Sequence, residues 1–147
     1  MQNPTKEMLH EIYTGARCGC EAITGMIPKI TDSALLAETT AQLETYAGFT
    51  ARAEKMMQDK QLGTPSFSLA NKLSVRGGVM LETMGSRSQN ELARILRVSS
   101  RDSANRMRSA VSDLSRHGCD PDALALGQKM MAYEIAEAEK LGTMQCK

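Results

Sequence analysis

Long stretches of this sequence repeat apolar residues at alternating spacings of three and four. In the stretch that begins at Pro4, this spacing links Leu9, Ile12 and Ala16 and continues as far as Ile27. Such a spacing places the apolar side chains along one face of an α-helix. Because a helix with one apolar face must bury it against other elements, the pattern predicts a bundle of packed helices. No segment alternates with the period of two that a strand would show, so we predict an all-α fold.

The composition agrees with this prediction. The chain has 147 residues with 11 Met, no Trp and 3% aromatic residues, and it is electrostatically balanced at a formal charge of +1. Such a length suits one domain, so we predict that residues 1–147 form a single helical unit. The four cysteines form no CxxC pair, which predicts reduced thiols rather than a disulfide framework or a zinc site.

Residues that start and stop helices divide the chain into five predicted segments. Asn3 and Pro4 predict the first start, Thr31 or Asp32 the second, and Asp120 the last. A run rich in Ser and Asp, 99–103, predicts a break, because these side chains compete with the helical backbone. The predicted segments are 4–27, 33–60, 68–98, 104–117 and 121–141, with Gly142 as the final stop.

Helices of this length joined by short links pack antiparallel. The sequence therefore predicts an up-and-down four-helix bundle with one additional short helical segment. That segment, 104–117, either continues the third helix past a kink or folds beside the end of the bundle.

Polar residues interrupt three of the apolar faces. The residues predicted to form this buried polar layer are Gln42, Tyr46, Arg87, Glu91 and Glu134. Burying an unpaired carboxylate costs several kcal/mol, so Glu134 needs a hydrogen-bond donor, a cation, a proton or a metal. In one interpretation the layer is structural, fixes the register of the helices and requires no cofactor. In the other, carboxylates from several helices bind a pair of metal ions.

The metal interpretation lacks its usual sequence motif. Di-metal bundles carry Glu-x-x-His on two helices, whereas Glu134 is followed three residues later by Glu137. The chain has two histidines, His10 and His117, and both lie near the predicted ends of helices. These features favour the structural interpretation.

Scattered residues also resemble a known family. They are Tyr13, 21–23, 27–30, 42–46, Phe49, 53–56 and 133–134. In these positions the chain resembles an uncharacterised family of small bacterial helical proteins within the ferritin-like superfamily. The resemblance implies a ferritin-like bundle, and in the wider superfamily such bundles bind iron or manganese for oxidation or storage. The metal ligands it implies are Glu21, Glu91, Glu134 and Glu137, with Glu44 behind them, although the helical position of Glu21 predicts that it faces solvent.

Arginine is concentrated in the segment from Arg87 to Arg116, which carries seven Arg against three acidic residues. A phosphate-binding surface could use such a stripe, but the segment has no aromatic residue for stacking on bases. We therefore expect a solvated face or a protein interface rather than a nucleic-acid site.

The remaining signals concern location and function. The sequence has no apolar stretch long enough for a signal peptide or a membrane span, which predicts a cytoplasmic protein. It has no catalytic motif, so we assign no catalytic residues. We expect a non-catalytic or degenerate ferritin-like bundle that acts through self-association or a protein partner. The alternative is a carboxylate-bound iron or manganese oxidase or storage protein.

Overall fold

The structure, a computed structural model, describes residues 3–66 and 88–145. These residues form four α-helices and no strand, which confirms the all-α prediction for this part of the chain. A single 3-10 turn, Ile27–Lys29, follows the first helix. The helices are α1 (Pro4–Met26), α2 (Ser33–Asp59), α3 (Gln89–Ser115) and α4 (Pro121–Gln145).

The helix starts follow the predicted capping residues. The Asn3 side chain accepts hydrogen bonds from the backbone of Thr5 and Lys6, and Pro4 occupies the first helical position. Asp32 caps α2 by accepting from Leu35 N at 2.8 Å. Asp120 accepts from the backbone N–H of the second residue of α4 at 2.9 Å. These side chains satisfy donors that have no partner inside the helix.

Contacts at the two ends of the bundle set the directions of the helices. At one end, His10 in α1 lies 2.8 Å from the carbonyl oxygen of Gly63, which follows α2. At the same end, Asp120 N, at the start of α4, donates to Thr5 Oγ1 at 2.9 Å. At the other end, the side chain of Gln89 accepts from the backbone that precedes α2. Hence α1 and α4 run in one direction, and α2 and α3 run in the opposite direction. The predicted up-and-down order is therefore wrong for the described helices, because α3 starts at the same end of the bundle as α2.

The apolar faces meet in one core. α1 pairs with α2 and α3 pairs with α4, and the two pairs pack against each other. The predicted core positions Leu9, Ile12, Phe49, Ala53 and Leu141 are all buried. In α4 the spacing of three and four through Glu134 and Leu141 predicts that Met131 is buried, but Met130 is buried and Met131 only half-buried; Glu134 and Leu141 are buried as predicted.

Three predicted helix boundaries are wrong. α3 continues through 99–103, where we predict a break. Of the two alternatives for 104–117, the one in which it continues the preceding helix is therefore confirmed. Ser100 and Ala104 are buried on the same face as Leu96 and Met107, so packing outweighs the weak helix propensity of Ser and Asp. α4 likewise passes Gly142, where an added Cβ atom would lie 3.4 Å from the Arg97 side chain. The predicted helix 68–98 is also not continuous, because Ser88 caps a helix that starts at Gln89. Residues 68–87 of that prediction lie outside the described residues.

Candidate functional site: a buried carboxylate layer and its cleft

Two turns of α2 face two turns of α4 across the core. α2 contributes Gln42 and Tyr46, which are one turn apart, and α4 contributes Glu134 and Glu137. All four side chains are buried, and Glu134 is only 1% exposed. Positions three or four residues apart share one face of a helix, so the two antiparallel helices oppose these residues in pairs.

Each carboxylate accepts a hydrogen bond from α2. Tyr46 Oη donates to Glu134 Oε2 at 2.8 Å. Gln42 Nε2 donates to Glu137 Oε2, also at 2.8 Å. We call these four residues the carboxylate layer. It joins α2 to α4 by two side-chain hydrogen bonds, both of them buried.

The layer extends toward the surface through Glu38, one turn before Gln42. The Glu38 carboxyl group lies beside that of Glu137 and raises its pKa. Lys140 Nζ forms an ion pair with Glu38 at 2.9 Å. The chain of polar groups therefore ends in an exposed ammonium group, which balances part of the negative charge.

Burial perturbs both carboxyl groups of α4. Desolvation raises the pKa of Glu134 from 4.5 to about 7, and the hydrogen bond from Tyr46 and the nearby Arg106 guanidinium oppose this rise. Desolvation also raises the pKa of Glu137 to about 7, against the hydrogen bond from Gln42. Burial and the neighbouring Glu134 carboxylate raise the pKa of Tyr46, so its hydroxyl keeps its proton.

Close helix packing holds the Tyr46 ring in place. The edge of the ring meets Tyr133, with centroids 6.0 Å apart and planes at 88°. On the other side it lies against Gly19 of α1, where a Cβ atom would come within 2.8 Å of the ring. Glycine is required there because the ring occupies the space of a side chain.

A cleft between α1 and α3, lined by both polar and apolar groups, reaches this layer. Its two adjoining compartments have volumes of about 200 and 160 Å³, and both are lined by Gly15, Cys18, Ser103 and Arg106. The larger compartment extends to Tyr46 and Gln42. The smaller one extends to Glu134. We call this space the α1–α3 cleft.

One oxygen of Glu134 has no hydrogen bond. Oε1 is buried and without a partner, although Oε2 is bonded to Tyr46. The Ser103 hydroxyl lies close enough to lower the pKa of Glu134, but it makes no hydrogen bond of normal geometry to Oε1. A buried carboxylate oxygen without a donor is energetically costly, so this atom marks a place where a donor would bind favourably.

The predicted polar residues are brought together only in part. Gln42, Tyr46 and Glu134 meet as predicted, and Glu137, predicted as a metal ligand, joins them. The predicted burial of Glu91 is wrong: its side chain is 47% exposed and pairs with Arg94 at 3.2 Å. Glu91 lies in the first turn of α3, where the next two residues, Leu92 and Ala93, occupy the buried face instead. Arg87 lies outside the described residues.

Glu21 and the metal hypothesis need separate comment. Glu21 is buried in α1, although its helical position predicts a solvent-facing side chain. Glu91 lies twelve residues before Ser103 on α3, which is ~18 Å along the helix. Because Ser103 lies beside Glu134, Glu91 is far from Glu134. No three His, Cys, Asp or Glu side chains within residues 3–66 and 88–145 form a group suited to one metal ion. Glu91 is thus too far from Glu134 to share a metal ion with it.

Sequence reasoning missed Glu38, Cys18, Ser103 and Arg106. Glu38 could have been found, because it precedes Gln42 by one helical turn on the same face. The two α3 residues were obscured by the predicted break at 99–103. Burial raises the pKa of the Cys18 thiol, and Arg106 offsets only part of this rise.

Comparisons with known proteins add no assignment. No protein-family model, curated protein or solved structure matches the chain. None of the described helices is long and apolar enough to cross a membrane.

Replacing Tyr46 by Phe is expected to destabilise the protein by about 1–3 kcal/mol at pH 8, because the buried Glu134 carboxylate loses its donor. The loss should be smaller at pH 5, where Glu134 is neutral. Urea denaturation at the two pH values measures it. Tyr13→Phe is the control, since the Tyr13 hydroxyl accepts only a hydrogen bond from Arg17 within the same helix. Equal losses in the two variants would contradict the assigned role of Tyr46.

Proposed function

We propose that the protein is a non-enzymatic bundle of ferritin-like type that acts through self-association or a protein partner, and that its carboxylate layer fixes the alignment of α2 against α4. The observation that carries this proposal is the pair of hydrogen bonds Tyr46–Glu134 and Gln42–Glu137. Both carboxylates come from one helix and both donors from the facing helix. This is the pattern of a layer that sets register.

The directions of the helices support the ferritin-like type. In ferritin-like bundles one long crossover joins two antiparallel helix pairs. Here α1 pairs with α2 and α3 with α4, while α2 ends at one end of the bundle and α3 begins at the other. The same helix directions result from a bundle with a single crossover.

The carboxylate layer can select one alignment of α2 against α4, because other alignments would cost free energy. Sliding α4 by one turn would move Glu134 away from the Tyr46 hydroxyl and leave a buried carboxylate without a donor. Such a loss costs several kcal/mol when the group is charged. A single buried polar contact can select one alignment in this way, as it does in coiled coils.

The surface of α3 supports the association part of the proposal. Four of its arginines are exposed, and so is Arg116, which directly follows it; the four are Arg94, Arg101, Arg106 and Arg108. Arginine is enriched at protein interfaces because its planar group makes several hydrogen bonds and stacks well. Val98, on the same helix, is among the exposed large apolar side chains of the described residues.

Metal content and molar mass together test the proposal. Protein from cells supplied with iron and manganese, purified without chelator, is analysed by elemental mass spectrometry and by light scattering over a range of concentrations. We expect no stoichiometric iron or manganese in either the wild type or Glu134→Gln. We expect a molar mass above 16.0 kDa at high concentration, or a mass increase with a partner.

A different metal content would contradict the proposed function. One or two iron or manganese ions per chain that disappear in Glu134→Gln but remain in Glu44→Gln would establish a metalloprotein instead. Glu44 is a suitable control because it is exposed on α2. Metal bound equally by both variants would reflect surface binding.

A further inference from the structure

The α1–α3 cleft combines three features that point to a ligand. It has space for a small molecule, in compartments of about 160 and 200 Å³. It reaches a carboxylate that is 99% buried and whose Oε1 lacks a hydrogen bond. It is lined by Arg106, an exposed cation that makes no hydrogen bond or ion pair with another described residue. Together, these features place a negative group deep in the cleft and a positive group nearer the solvent.

The opposite charges of Glu134 and Arg106 determine which class of ligand the cleft can bind. A simple cation would be attracted by Glu134 but repelled by the Arg106 guanidinium. A simple anion would be attracted by Arg106 but repelled by Glu134. A small molecule with a donor cation at one end and an anion at the other would satisfy both groups.

We propose that the α1–α3 cleft binds a small zwitterion of the α-amino-acid class, with its ammonium group on Glu134 Oε1 and its carboxylate on the Arg106 guanidinium. Ser103 is placed to accept a second hydrogen bond from the ammonium group. Gly15 leaves room beside α1, since a Cβ there would touch only the end of the Met130 side chain. The proposal concerns a ligand site and does not depend on the proposed association of the bundle.

The protonation of Glu134 should control the affinity. The titratable and charged groups around it are Tyr46 of α2, Cys18 and Glu11 of α1, Arg106 of α3 and Glu137 of α4. The thiol and the phenol keep their protons, because burial raises their pKa values. An ammonium group binds best to the ionised carboxylate, whose pKa is about 7, so binding should weaken about tenfold from pH 8 to pH 6.

Calorimetric titration of the full chain with glycine, L-alanine and L-serine at pH 8 tests the site. We expect saturable binding of at least one of them. Methylamine and acetate, which each carry one of the two charges, should bind at least about tenfold more weakly. Titration to about 20 mM covers the affinities expected of such small ligands.

Two variants and a control locate the binding. Glu134→Gln, which keeps an acceptor for Tyr46, should abolish binding, and Arg106→Gln should weaken it several-fold. Arg108→Gln, an exposed substitution outside the cleft lining, should leave it unchanged. If Glu134→Gln fails to fold, the Arg106 and Arg108 variants still test the proposal, because both arginines lie on the surface and their replacement should not prevent folding.

Several outcomes would overturn the proposal. No saturable binding of the three amino acids would contradict the proposed ligand class. Equal binding of methylamine or acetate would show that only one charge is recognised. Amino-acid binding that survives in both cleft variants would place the site elsewhere. The molar mass of the protein is measured separately, so failure here leaves the association proposal standing.

Discussion

Raising the pH from 5 to 8 is expected to lower the free energy of unfolding, by about 3 kcal/mol for Glu134 alone. The pKa of Glu134 is about 7 in the folded protein and 4.5 as its ordinary value. Between these values the folded state holds a proton that the unfolded state has released. Stability is therefore highest below pH 4.5 for this group, and it falls as the pH rises toward 7.

Glu137 adds to the same trend, because its pKa is also raised to about 7. Its contribution should be smaller than that of Glu134, since the Glu137 side chain is less completely buried and the Lys140 ammonium group opposes the rise in its pKa. Urea denaturation at several pH values measures the combined slope. The slope should level off above pH 7, where both carboxyl groups are ionised in both states.

Glu134→Gln isolates the main contribution. Glutamine stays neutral at every pH and still accepts from Tyr46, so the variant should lose most of the slope and be more stable than the wild type at pH 8. Glu44→Gln, on the exposed face of α2, should keep the wild-type slope. If both variants show the same slope as the wild type, Glu134 titrates normally and its burial in the carboxylate layer is incorrect.

Gly19→Val is expected to destabilise the protein by about 3 kcal/mol. A Cβ atom at this position would lie 2.8 Å from two atoms of the Tyr46 ring. The ring cannot move away easily, because Tyr133 packs against it and its hydroxyl is bonded to Glu134. The substitution should therefore either separate α1 from α2 or break the hydrogen bond.

Gly48→Val provides a matched control. Gly48 is also a helical glycine, but no heavy atom lies within 4 Å of its added Cβ. Because valine has a slightly better helix propensity than glycine, this variant should be unchanged or stabilised by a few tenths of a kcal/mol. Denaturation of both variants under the same conditions gives the comparison. Similar stability in the two variants would mean that α1 does not approach Tyr46 closely.

Much of the helical architecture could be predicted from local patterns. The capping residues Asn3, Asp32 and Asp120 act within one turn of their own helix, so the sequence next to each helix start is enough to predict their roles. The apolar periodicity of α1 and α2 identified the buried face, including Gln42 and Tyr46. Such predictions succeed because capping and amphipathicity depend on residues a few positions apart.

The wrong predictions, the break at 99–103 and the burial of Glu91, lie where the local sequence signal is weak compared with the effect of packing. The Ser- and Asp-rich run 99–103 lies inside α3 because each unfavourable residue costs only about 0.5 kcal/mol, whereas burial of the neighbouring Leu96 and Met107 gains more. Glu91 was assigned to the core by continuing a periodic face past the true start of the helix at Ser88. When the predicted start of a helix is wrong, its first residues are assigned to the wrong face of the helix.

The sequence by itself determined that the described chain is helical, where three of its helices begin, and that α2 and α4 carry polar groups on their core faces. Only the tertiary structure decided which of those groups meet, that Glu91 stays outside, and that Ser103 and Arg106 share a cleft with Glu134. The physical reason is distance along the chain. Caps and faces arise from neighbours within a turn, whereas the Tyr46–Glu134 bond joins residues 88 positions apart and depends on how whole helices pack.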